Sequence, residues 1–214
     1  MEWQLFAGVP EEDVRRLLAI ARRRTFARNE VVFHRGDPAN ALHLIAAGRF
    51  AVTIITPLGE TAMLNVRGAG DAFGELALVS GMASERSATV AALEPSETRC
   101  VLQDDFARLR RQHPQLDAVI AAILAERVRR LSEQLTEAYY LSAEARVLRR
   151  LADLAELYDG TVSLPQEALA ELAGTSRATV NRVLREQQER GVIELRRARI
   201  LVRDVARLRP RASV

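Results

Sequence analysis

The hydrophobic period of this chain changes at about residue 104, and the change limits the architectures open to it. From residue 30 to about 102, short β-rich runs alternate with turn signals: VVFH then RGDPAN, LHLIA then AGR, FAVTIIT then PLGE, TAMLNV then RGAGD, and later ATVAAL and TRCVL. Runs so short and evenly spaced predict a sandwich or barrel. From about 104 to 140 the pattern is helical, with a restart at Pro114. Leu124, Val128, Leu131, Leu135 and Ala138 follow one another at steps of 4, 3, 4 and 3. That seam of period 3.5 favours a two-stranded coiled coil and hence a homodimer, although one amphipathic helix packed on its own barrel carries a similar pattern.

Helices flank these two zones. Pro10 opens a short one with Val14, Leu17, Leu18 and Ala21 on one face. Beyond residue 142, Val147, Leu148, Leu151, Ala155 and Tyr158 mark another, which Asp159-Gly160 ends. Two further helical stretches and two short strands follow. The segmentation is 1–112, 113–141 and 142–214.

Composition narrows the function. In 214 residues the longest apolar run, AVIAAILA, is too short to span a bilayer, and MEWQLFAGVPEED has neither the basic start nor the apolar core of a signal peptide. A single cysteine, Cys100, forms no internal disulfide and cannot hold an iron–sulfur cluster, so a reducing cytoplasm is expected. His34, His43 and His113 form no recognisable haem pair. No nucleophile–base constellation, zinc-ligand spacing or P-loop lysine is visible, so neither an enzyme nor a metal site is expected. All 31 basic residues are Arg. Residues 1–160 carry 20 Arg against 22 acids, whereas residues 161–214 carry 11 against 6. The C-terminal end is where a polyanion would bind.

That end contains LPQEALAELAGTSRATVNRVLREQQERG, residues 164–191. Pro165 suits a first helical turn, and Ala170 is small where a second helix must cross. Gly174 can take the positive φ of a tight interhelical turn, and Ser176 is a good N-cap. Val180 and Val183 return to the core with Leu169. This is the register of a helix-turn-helix, with residues 176–181 beginning the helix that enters the major groove. Arg177 matches guanine O6 and N7, Ala178 can touch a thymine methyl, and Arg182 can read a base or brace a phosphate. Thr179 and Asn181 are short polar candidates for base or phosphate contacts. GVIEL, RRAR and ILVRD read as a β-wing, with Arg196, Arg197 and Arg199 as phosphate contacts.

A barrel, a long dimer helix and a C-terminal winged helix-turn-helix, in that order, resemble the Crp/Fnr family of bacterial transcription regulators. The segments GELAL…ERSATV (74–90) and AGTSRATVNRVL (173–184) carry the resemblance, which covers essentially the whole chain. It implies an α+β fold: a cyclic-nucleotide-binding β-roll of the double-stranded jelly-roll type, a dimerisation helix and the winged domain. It also implies a palindromic operator in double-stranded DNA and RNA polymerase as a partner.

The first segment resembles a phosphate-binding cassette. By that resemblance Glu75 accepts from a ribose hydroxyl, Arg86 pairs with a cyclic phosphate helped by Ser87, and Gly74, Leu76 and Ala88 line the ligand. Arg127 matches the family's ligand-facing arginine on the dimer helix. In cAMP-responsive members a Thr-Ser pair meets adenine; here those positions are Leu131 and Ser132. One hydroxyl is lost, which leaves cAMP, another cyclic nucleotide, a cyclic dinucleotide or a ligand-free barrel open. A kinase-type regulatory subunit shares the barrel but has no use for a basic wing.

Overall fold

The computed structural model describes residues 3–75 and 84–209. Two compact units emerge, one of residues 1–54 and 65–130, the other of residues 55–64 and 131–214. A 3-10 turn (Gln4–Phe6) and helix α1 (Glu11–Ile20) lead into ten strands among the described residues. These are β1 (Arg22–Phe26), β2 (Val31–Phe33), β3 (Pro38–Ala39), β4 (Ala41–Ala47), β5 (Phe50–Ile55), β6 (Thr61–Arg67), β7 (Ala72–Phe73), β8 (Ser84–Glu85), β9 (Thr89–Ala92) and β10 (Ser96–Leu102). They form two four-stranded sheets, ordered β1-β10-β4-β7 and β2-β9-β5-β6, and a β3-β8 ribbon. This is the expected β-roll.

β1 has no counterpart in the expected pattern. Its sequence is RRRTF, and only Phe26 is buried. An edge strand can satisfy its backbone on one neighbour and leave charged side chains in water, so no apolar alternation marks it. β4 is the opposite case, buried on both faces. Leu42 and Leu44 join an outer core with Leu17, Phe106, Leu109, Leu116 and Ile120 from the helices. Ile45 turns inward to Phe26, Phe50, Val52, Phe73 and Val90 between the sheets. The Trp3 indole N–H donates to the Ile45 carbonyl at 3.2 Å and fixes the N-terminus over β4.

Helix α2 (Gln103–Gln112) follows β10, and α3 (Gln115–Tyr140) restarts after Pro114. The start of α3 is core, with Leu116 and Ile120 buried. Farther along, Val128, Leu131 and Leu135 of the seam are more than half exposed, as are Tyr139 and Tyr140. No helix among the described residues is long and apolar enough to cross a membrane.

The second unit contains α4 (Ala143–Leu157), β11 (Thr161–Val162), α5 (Gln166–Ala173), α6 (Arg177–Glu189), β12 (Ile193–Arg196) and β13 (Arg199–Val202). Its three-stranded sheet is ordered β11-β13-β12. Val147, Leu151, Leu169, Val180, Val183 and Leu184 are almost wholly buried. α4 ends where predicted, through Asp159 and Gly160 at positive φ. β11, two residues long, left no signal in the sequence.

Inside the roll, the His43 imidazole is 2% exposed. It stacks on Phe73 with ring centroids 5.0 Å apart, and Nδ1 lies 3.1 Å from the Thr98 hydroxyl. Burial, reinforced by the charges of Arg86 and Arg24, pushes its pKa down from 6.5 to about 3. Between those values the unfolded chain holds a proton that the folded chain excludes. Stability therefore rises with pH across this window: the contribution is complete above about pH 6.5 and is lost as pH falls towards 3. Urea denaturation from about pH 4 to 7 should show a shallower pH dependence for His43→Gln than for the parent chain; parallel profiles would exclude a buried neutral imidazole.

Candidate functional site

Between the sheets and the N-terminal half of α3 lies a pocket that is open in part to solvent. It is lined by Gly74, Glu75, Arg86, Ser87, Ala88 and Arg127 of the predicted residues, with Phe33, Arg67 and Phe73 among others. Leu76 lies outside the described residues. Leu131 and Ser132 follow on α3 and do not belong to this lining; Leu131 is 51% exposed, and the Ser132 carbonyl accepts from the Thr136 hydroxyl at 3.0 Å.

Arg86 dominates the cavity. Its backbone is pinned on both sides: its N–H donates to the Asp37 carbonyl at 2.8 Å, and its carbonyl accepts from the Gly36 N–H at 2.9 Å. The side chain is 6% exposed, with Cζ 4.1 Å from the centroid of the Phe33 ring. Among the described residues its Nε and Nη1 have no hydrogen-bond partner. Burial pushes its pKa down, but a guanidinium remains charged. A buried cation with free donors is costly unless it is compensated, and the aromatic face of Phe33 offsets part of that cost.

Gly74 makes the room. Its φ is +84°, and a Cβ there would sit 2.4 Å from Arg86 Nη1 and 3.0 Å from the Ala41 carbonyl. Glu75, next in the chain, forms an ion pair with Arg127. Burial and neighbouring Arg67 both push the Arg127 pKa down. The pocket lining thus brings together Glu75, Glu85 and the arginines Arg67, Arg86 and Arg127. Arg67 carried no motif signal; its only mark in the sequence is a charge at the end of the TAMLNV run.

The second unit carries the other candidate surface. Gly174 closes α5 in the left-handed region at φ 59°, and Ser176 caps α6, its hydroxyl accepting from the Thr179 N–H at 3.2 Å. Arg146 of α4 locks this turn, donating to the carbonyls of Ala173 at 3.0 Å and Gly174 at 3.1 Å. With Val180, Val183 and Leu184 facing inward, the outer face of α6 presents Arg177, Ala178 and Arg182. Arg185 shares that face, lining a groove with Ala178, Asn181 and Arg182. The i, i+3, i+4 spacing from Ala178 and Asn181 was the signal that could have included Arg185. Arg182 pairs with Glu144, and the Asn181 amide donates to Gln166 at 3.1 Å. At the wing, Arg197 and Arg199 are exposed, while Arg196 donates to Glu194 at 2.6 Å.

The packing at Gly74 gives a direct check. Gly74→Ala adds a contact with Arg86 and Ala41 to the strain of a positive φ, whereas Gly59→Ala, at φ +82° with no atom near its Cβ, adds the strain alone. Urea denaturation should therefore show a larger loss for Gly74→Ala, on the order of 1–3 kcal/mol or more. Equal losses would mean that Arg86 is free to move.

Comparison with known proteins finds the two domain types in this order. A cyclic nucleotide-binding domain model matches residues 23–113, and a Crp-like helix-turn-helix domain model matches residues 145–211. The chain is 34% identical to the cyclic AMP receptor protein of Thermus thermophilus over 95% of this chain and 94% of that one. It is 31% identical to a CRP-like cAMP-activated global transcriptional regulator of Mycobacterium tuberculosis, over 97% and 96% of the two chains. Among solved structures it resembles the catabolite activator protein of Thermus thermophilus, with 34% identity, a TM-score of 0.57 and 96% of each chain covered. The fold also matches the c-di-GMP responsive global regulator CLP of Xanthomonas campestris, at a TM-score of 0.77 and 21% identity over 90% of this chain and 99% of that one. With a cyclic nucleotide-binding domain followed by a Crp-like helix-turn-helix, the chain belongs to the Crp/Fnr family of transcription regulators.

Proposed function

We propose that this regulator binds a palindromic operator as a homodimer, in the cytoplasm, under the control of a cyclic nucleotide held against Arg86. The observation that carries this reading is the buried guanidinium whose Nε and Nη1 have no partner among the described residues, at the wall of a pocket lined by the cassette. A cyclic phosphate supplies the charge and acceptors that the site lacks. Glu75 then accepts from the ribose hydroxyl, and Ser87 adds a donor. The relatives named above for cAMP make it the first ligand to test.

Dimerisation rests on the seam of α3. Leu131 and Leu135, 51% and 55% exposed, continue the seam from Val128, which is 63% exposed. An apolar stripe of that kind is covered by a second copy of the same helix. Two recognition helices related by the dimer axis then reach successive major grooves about 34 Å apart. Arg177, Ala178, Asn181, Arg182 and Arg185 face bases and phosphates; Arg196, Arg197 and Arg199 hold the backbone beside them. RNA polymerase is the partner that would read the occupied operator.

Control works by population shift. Arg86 belongs to the roll and Arg127 to α3, yet both line one cavity. At its far end α3 places Glu137 in ion pairs with Arg149 and Arg150 of α4. A ligand that bridges roll and helix selects among positions of α3, and so sets the spacing of the two readers, provided that it binds the DNA-competent form more tightly.

Fluorescence anisotropy of an operator selected from a random pool, with and without cAMP or cGMP, tests this. Nucleotide should strengthen DNA binding; equal DNA affinity with and without either nucleotide overturns nucleotide control. Arg177→Ala should cost about 1–3 kcal/mol, concentrated at one guanine per half-site. A uniform loss over all sequences would make it a phosphate contact instead.

A further inference from the structure

Arg86 is not the one guanidinium in the cavity that lacks an acid. Arg67, the last residue of β6, lines the same cavity. The turn after it is tight: the Asp71 N–H donates to the Gly68 carbonyl at 3.1 Å, and the Asp71 carboxylate accepts from the Gly68 N–H at 3.0 Å. Asp71 is therefore engaged with the backbone. It favours the charge on Arg67 from a distance, while burial and nearby Arg130 oppose that charge. Among the described residues no acid lies within ion-pair distance of Arg67.

The neighbouring arginines are provided for. Arg127 pairs with Glu75, and Arg130 has Glu126 at 3.7 Å. Two half-desolvated cations are left facing one cavity. Arg86 lies over Phe33 against Gly74, whereas Arg67 is close enough to Arg127 of α3 to oppose its charge. The single phosphate of a cyclic mononucleotide answers one of them.

We propose that Arg67 is a second clamp in this pocket, donating to a pair of acceptors on the ligand remote from the phosphate that Arg86 holds. This rests on the ligand-binding role of Arg86 given above. The planar fork of arginine fits two adjacent acceptors. A nucleotide offers that chemistry in two places, the oxygens of a second phosphate or the O6 and N7 of guanine. Adenine presents a donor, its N6 amine, where guanine has O6, and fits less well. Guanine-containing or doubly phosphorylated cyclic nucleotides therefore bind better than cAMP.

Calorimetric titration of the full chain with cAMP, cGMP, cyclic di-AMP and cyclic di-GMP separates the cases. cGMP has the guanine edge, cyclic di-AMP the second phosphate, cyclic di-GMP both and cAMP neither. At least one of the last three should bind about tenfold or more tightly than cAMP, and Arg67→Ala should erase that margin while leaving cAMP within about twofold. Arg67→Gln, which keeps a donor and more of the side chain, serves if Arg67→Ala does not fold, and should lose most of the margin. The proposal is overturned if the parent chain binds cAMP as tightly as the other three, or if the Arg67 variants weaken all four alike. If no nucleotide binds, or if Arg86→Gln binds them as the parent does, the ligand-binding reading of the pocket falls as well.

Discussion

A guanidinium taken out of water without an acid beside it is the constraint around which the first unit is arranged. An uncompensated buried charge costs several kcal/mol, and a fold tolerates it only where something else is gained. Around Arg86 the compensation is partial. The Phe33 ring lies beneath it, and backbone bonds from Gly36 and to Asp37 hold the chain in place. Gly74 is a glycine because Arg86 Nη1 occupies the space of its Cβ. His43, deeper in the roll, stays neutral partly because Arg86 is charged. Under the proposed reading these features hold Arg86 ready for an anion before one binds.

Helix α3 carries a second constraint. Its start is core, buried at Leu116 and Ile120, and its later turns present an apolar seam to solvent. One hydrophobic pattern thus serves two ends, packing on the roll first and dimerisation, as proposed, afterwards. In the middle stands Arg127, joined to Glu75 across the cavity. In the proposed reading the ribose hydroxyl uses the same Glu75 carboxylate, so a ligand has to share or displace its pairing with Arg127 as it enters.

Much of the architecture was legible in the sequence because it rests on local physics. Gly174 and Ser176 announced the helix-turn-helix through backbone conformation and capping, and the structure has both features at those residues. The short runs from 30 to 102 announced the roll because each is bounded by turn residues. β1 was not legible, since an edge strand of exposed arginines carries no alternation. Arg185 was missed although its spacing from Ala178 places it on the outer face of α6. Arg67 could not be found without the fold, because only the crossing of β6 with the cassette and α3 brings it to the cavity. The pairing of Glu75 with Arg127 is likewise tertiary, joining residues 52 apart in the chain.

The measurement closest to the centre of this account is the unfolding free energy of the parent chain and of Arg86→Met, each with and without saturating cyclic nucleotide. Without ligand the variant should be at least as stable as the parent, because methionine fills the site without a buried charge. With ligand the parent should gain stability in proportion to its affinity, and the variant should gain none. A variant that is less stable without ligand, together with an equal gain from nucleotide in both proteins, would contradict the claim that Arg86 is kept buried and unpaired in order to hold an anion.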